Sequence, residues 1–155
     1  LTAAQISIEQ ASIAARAADE KLGANIAVID VSNVMAITDI FVVVSAETER
    51  QVASIVEEVE TELTAAGLEP KRREGNREFR WVLLDYGNFV VHVQREAERE
   101  FYGLDRLYSD CPVIAVEGLE PYQRPGVFAD DAGVREAATL EDLPLAGEGP
   151  DADEY

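Results

Sequence analysis

Two aspartates, Asp39 and Asp85, stand at the mouths of apolar runs, where strand ends in nucleotide-handling folds place metal-binding carboxylates. Their surroundings do not form an Asp-x-Asp arrangement, and capping of a strand end or a turn accounts for both. The lone His92 and the lone Cys111 are the remaining groups with nucleophilic or general-base chemistry. His92 lies inside the apolar run 89–93 and Cys111 opens a proline-rich stretch, so the expected role of His92 is a packed strand residue with one ring nitrogen hydrogen-bonded. Glycines are missing from the strand-to-helix junction at residues 45–48, which removes the backbone cradle that a phosphate loop needs. Lys71, Arg72, Arg73, Arg77 and Arg80 form the one basic cluster, but Glu69, Glu74 and Glu78 are interleaved with it. That mixture predicts a solvated edge strand whose charges discourage pairing with other chains, rather than a phosphate-binding patch. The aromatic group Trp81, Tyr86, Phe89, Phe101, Tyr102 and Tyr108 falls within thirty residues; Phe89 and Phe101 fit buried positions, and the others are candidates for an interface.

The elements that must hold these residues follow from periodicity. Residues 2–22 carry Ile6, Ile13 and several alanines at helical spacing, with Gly23 as the stop. The β-branched runs 26–31 and 40–44 are too short for helices and predict buried strands. Val52, Ile55, Val56, Val59 and Leu63 recur at helical intervals through residues 48–66, and Gly67 terminates them. Residues 70–73 form a short edge strand, the runs 80–85 and 88–94 form a hairpin across Tyr86-Gly87, and Phe101, Leu104 and Leu107 put one helix over residues 96–108. This order predicts an α+β (α/β layered) fold: one mixed five-stranded sheet with helices on at least one face.

A chain of 155 residues has room for one core of ordinary size, and 47% hydrophobic with 28% charged residues is a globular mixture. The net charge of −18 is uneven: residues 110–155 contain 12 of the 31 acidic side chains and two basic ones, together with five of the six prolines. The expected division is therefore a folded domain over residues 1–113 and a flexible acidic tail over 114–155. So negative a chain opposes non-specific binding to phosphate backbones and favours basic protein partners. One cysteine and one histidine cannot build a disulfide or a zinc site, and no run approaches the roughly 20 apolar residues that span a bilayer, so neither metal, cofactor nor membrane is expected and the cytoplasm is the expected compartment. Because the chain opens on Leu1, a processed or trimmed N-terminus is also expected.

The segment Ile37-Thr-Asp-Ile-Phe-Val-Val-Val-Ser45, followed by Glu49-Arg-Gln-Val52, resembles the first signature of the Iojap-like ribosomal silencing factors. Gly75 through Trp81, Leu84-Asp-Tyr-Gly87, Val90-Val-His-Val93 and Phe101-Tyr-Gly-Leu-Asp-Arg-Leu-Tyr108 resemble that family's trailing half in order and spacing. Tyr108 stands where many relatives have tryptophan, and the acidic tail lies outside the family pattern. The resemblance implies a nucleotidyltransferase-like sheet without catalysis. It further implies a translational repressor that binds the large ribosomal subunit through ribosomal protein number fourteen, blocks joining of the small subunit, and forms homodimers. On that reading the expected contact residues are Trp81, Asp85, Tyr86, His92, Tyr102, Leu104 and Tyr108, with aromatic area from Trp81, Tyr86 and Tyr102, a carboxylate from Asp85 and a hydrogen bond from His92. No nucleic-acid specificity is expected. The alternative is a nucleotidyltransferase-like enzyme working through Asp39 and Asp85.

Overall fold

The structure, a computed structural model, describes residues 3–75 and 77–123. Most of the expected tail, residues 124–155, lies outside them. Helix α1 (Gln5–Glu20) buries an alanine-rich face, including Ala11, Ala14, Ala15 and Ala18, whose small side chains let it lie close to its neighbours. Leu22, not Gly23, takes the left-handed turn at its end, with φ of 64°. Gly23 is required for a different reason: a Cβ there would lie 2.6 Å from Val44 Cγ1.

Strands β1 (Ala24–Asp30) and β2 (Ile40–Ala46) pair antiparallel, and every residue of β2 is buried. Helix α2 (Glu49–Ala65) begins at Thr48, whose hydroxyl accepts from the Gln51 amide at 3.1 Å, and buries the stripe Val52, Ile55, Val56, Val59 and Leu63. Strands β3 (Arg72–Glu74), β4 (Trp81–Asp85) and β5 (Phe89–Arg95) form an antiparallel meander. The sheet order is β1-β2-β5-β4-β3, with β2 and β5 running parallel at its centre from Ile40 opposite Phe89 to Ala46 opposite Arg95. A central strand with both faces covered loses the alternation of polar and apolar residues, which is why Ser45 is the one polar residue of β2.

Both faces are covered. Phe89, Val91 and Val93 of β5 point with Val42 and Val44 into a core closed by α1 and α2. Val90, with Phe41, Val43, Trp81 and Leu83, faces a second core closed by Met35, Leu104, Leu107, Tyr108 and Cys111. The single helix expected over residues 96–108 is two: α3 (Glu96–Tyr102) and α4 (Leu104–Leu107), divided at Gly103, which adopts φ 62° and ψ 43°. A left-handed residue cannot continue an α-helix, so the chain turns there and lays Leu104 and Leu107 against the sheet.

Beyond Cys111 the chain runs along the free edge of β1. The Asp30 amide donates to the Pro112 carbonyl and the Ile114 amide to Val28, each at 2.8 Å, while Ile114, Val116 and Leu119 pack on the first core. The expected domain boundary at residue 113 falls inside this strap, which continues at least to Tyr122, whose hydroxyl donates to Asp105.

Candidate functional site: an aromatic column under helix α3

Trp81 on β4 and His92 on β5 share one face of the sheet, and the indole Nε1–H donates to His92 Nδ1 at 3.1 Å. The ring proton of neutral His92 is therefore on Nε2. Complete burial pushes its pKa down to about 3, so the imidazole is uncharged at neutral pH. Neither His92 Nε2 nor the amide of buried Gln94, two residues along the same face, finds a hydrogen-bond partner among the described residues. Leaving such groups unsatisfied costs about 1–3 kcal/mol each.

Rings continue outward and inward from this pair. Tyr102 lies 4.8 Å from Trp81 between centroids, and Phe101 meets Tyr102 edge-on at 5.0 Å. On the inner side His92 meets Phe41 at 4.6 Å, and Phe41 meets Tyr108 at 5.3 Å, both near-perpendicular. Phe101, Tyr102, Trp81, His92, Phe41 and Tyr108 thus form one column from surface to core; its outermost contact and its two innermost are edge-to-face, as aromatic quadrupoles favour, and the two made by Trp81 are tilted at 46° and 50°.

Helix α3 is fixed over the column by charge. Arg99 donates to both oxygens of Asp105 at 3.0 and 2.7 Å, to Ser45 Oγ at 2.9 Å and to the Ala24 carbonyl at 3.4 Å. Burial alone would raise the Asp105 pKa, but the bonds and charge of Arg99, helped by the Tyr122 hydroxyl, hold it below the ordinary carboxylate range. Arg95 pairs with Glu98 at 2.9 Å and reaches Glu49 at 3.3 Å. A cleft of about 440 Å³ opens beside this cluster, with Asn25, Ser45, Glu96, Glu100 and Gly103 among its walls.

Of the seven expected contact residues, the structure gathers Trp81, His92, Tyr102, Leu104 and Tyr108 and leaves Asp85 and Tyr86 apart. Trp81, His92, Leu104 and Tyr108 are buried by this chain's own atoms, because α3 and α4 fold back over that face of the sheet. They are not available for direct contact in this conformation. Tyr86 turns to the opposite face and stacks on Phe89 at 5.0 Å, and burial, reinforced by the negative charge of Glu60, raises its hydroxyl pKa. Asp85 Oδ1 accepts from the Gly87 amide at 2.8 Å and shapes the β4–β5 turn. Phe101, expected in the core, is 56% exposed. The helix pattern misassigned it because Glu98 and Arg99 point inward, which an ion-paired interior permits and an apolar stripe does not reveal.

The other candidate groups are engaged locally. Asp39 accepts from the Ser7 hydroxyl at 3.0 Å and from the Ala4 amide at 3.5 Å, tying the start of α1 to the sheet. Arg72, Arg73 and Arg80 pair with Glu74, Glu60 and Glu78, so the basic cluster is largely neutralised by the acids within and around it. Cys111 is buried. Among the described residues no group of three or more histidine, cysteine or acidic side chains is placed to hold a metal ion, and no helix is long and apolar enough to cross a membrane.

Residues 4–141 match the profile of the RsfS family, described as ribosomal silencing factor during starvation. The chain is 34% identical to the ribosomal silencing factor of Halalkalibacterium halodurans over 111 residues, covering 72% of this chain and 95% of the relative. It is 36% identical to that of Bacillus subtilis over 105 residues, covering 68% and 89%. Among solved structures, a crystal structure of a Bacillus halodurans protein superposes with a TM-score of 0.62 at 31% identity, covering 70% of this chain and 98% of that one. One from Chromobacterium violaceum gives a TM-score of 0.63 at 28% identity, covering 77% and 92%.

Proposed function

Because this chain belongs to the RsfS family of ribosomal silencing factors, we propose that it represses translation by docking on the large ribosomal subunit, through ribosomal protein number fourteen, where its bulk prevents the small subunit from joining. The observation that carries this reading is the convergence of the residues through which the chain resembles the family: Trp81, His92, Tyr102 and Tyr108 meet in one column, and Leu104 packs beside them. A rigid aromatic wall of this kind suits a docking module. The −18 charge supports a basic protein partner, which an acidic chain meets faster than a neutral one, and argues against sequence-reading of nucleic acid. Exclusion requires no chemistry, and Asp39 and Asp85 are each committed to backbone or hydroxyl donors of the fold.

On this reading the protein acts in the cytoplasm with the ribosomes, and a second copy of the chain is a further partner. The buried residues Trp81, His92, Leu104 and Tyr108 act by setting the position of what lies above them. Sedimentation of purified large and small subunits with and without the protein tests the reading. Free subunits should accumulate as the protein is added, and an unchanged fraction of joined ribosomes at saturation would refute it.

A further inference from the structure

Helix α3 turns Glu98 and Arg99 inward, which leaves Glu96, Ala97, Glu100 and Phe101 as its outer surface. Residues four apart share a helix face, so Ala97 and Phe101 form one stripe and Glu96 and Glu100 the stripe beside it. Among the described residues the large exposed apolar side chains are Ile6, Leu22, Ile37 and Phe101, and of these only Phe101 belongs to a stack of rings continuous with the core. Its ring is therefore backed by Tyr102 on one side and open to solvent on the other. Glu96 and Glu100 rim the 440 Å³ cleft, and neither pairs with a cation among the described residues. The cleft's own cations are occupied, Arg99 by Asp105 and Arg106 by the Glu100 carbonyl at 3.1 Å.

We infer that this outer face of α3 is the direct contact surface of the docking proposed above, and that it takes an arginine-bearing segment of a basic ribosomal protein, the guanidinium between Glu96 and Glu100 and its stem against Phe101. The inference rests on the ribosome-docking reading. An aromatic face beside two free carboxylates is complementary to a planar cation, which gains both from the ring quadrupole and from charge-assisted hydrogen bonds. Nucleic-acid phosphate would be repelled by the same carboxylates. A second copy of this chain would bring a net charge of −18 of its own.

The test is binding of the intact chain to purified large subunits at low and moderate salt, comparing the parent with Phe101→Ala, with the double variant Glu96→Gln and Glu100→Gln, and with Ile37→Ala as a control on a different exposed apolar residue. Phe101→Ala and the double variant should each weaken binding at least tenfold, the double variant should also flatten the salt dependence, and Ile37→Ala should stay within twofold. If the parent binds and both α3 variants bind within twofold of it, the inference is wrong while the docking reading stands. If the parent does not bind, both fall. Tighter binding by the double variant would indicate phosphate at this face, and a change in self-association without a change in subunit binding would assign the face to a second copy; either overturns the inference. All four side chains are surface groups, so thermal unfolding checks that the variants remain folded, and should Phe101→Ala fail, the isosteric amide pair still decides.

Discussion

Acidification offers a direct probe of the aromatic column, because His92 is the chain's one histidine and is buried uncharged. In the fold its pKa is pushed down to about 3, whereas the unfolded chain restores it to near 6.5. Below about pH 6.5 the unfolded state takes up a proton that the folded state refuses, so the stability present above pH 7 is lost as pH falls towards 3. Between pH 7.5 and 5.5 the loss should be about 1.4 kcal/mol, a sizeable part of a typical 5–15 kcal/mol. The depressed carboxyls Asp30 and Asp105 release their stabilisation only in more acid solution, below about pH 4, outside this window. Acid also relieves self-repulsion in a chain of charge −18, an opposing contribution common to parent and variant. The readout is therefore the difference in pH slope between the parent and His92→Gln, which keeps an acceptor for the Trp81 indole but does not titrate. Urea unfolding followed by circular dichroism at several pH values measures it. The variant should be less stable at pH 7.5 yet lack the parent's extra decline, and identical slopes would refute the burial of a neutral imidazole.

Breaking the buried pair that fixes α3, by Arg99→Met, should cost about 3–5 kcal/mol in chemical unfolding, since Asp105 would be left charged and enclosed. Trp81→Ala should lower stability by about 3–5 kcal/mol, and any loss of subunit binding should track loosening of Phe101 rather than removal of a touching surface. Ending the chain after residue 123 should preserve cooperative unfolding. Ending it after residue 113 should cost about 2 kcal/mol or more, because Ile114, Val116 and Leu119 leave the first core, and equal stability of the two truncated chains would restore the boundary at 113.

The strands and the two long helices are legible because their signals are local: β-branched runs for β1, β2 and β5, an apolar run ahead of the Tyr86-Gly87 turn for β4, and the stripe from Val52 to Leu63 for α2. The break at Gly103 is not, since Phe101, Leu104 and Leu107 keep helical spacing across it and only tertiary packing reveals that Phe101 faces out while the other two face in. Of the expected contact group Trp81, Asp85, Tyr86, His92, Tyr102, Leu104 and Tyr108, the structure gathers all but Asp85 and Tyr86, and the sequence carries no record of which atoms cover which. Tyr86 escaped for another reason. It sits at the end of β4, where the turn held by Asp85 and Gly87 sends its ring to the α1–α2 side. The strap is hard to read because only Ile114, Val116 and Leu119 anchor it within a proline- and acid-rich stretch.

The parallel seam between β2 and β5 also dictates how the chain reaches its fold. On either side of it the pairings are between neighbours in sequence, β1 with β2 and the β3-β4-β5 meander, whereas Ile40 must find Phe89 across about fifty intervening residues. Closing that distance costs entropy before any contact rewards it, so joining the two halves should limit the folding rate. Substitutions along the seam, such as at Val42 or Val91, would then slow folding, while those at the outer strands would chiefly hasten unfolding. A chain emerging from a ribosome could not close its central sheet until β5 had cleared the exit.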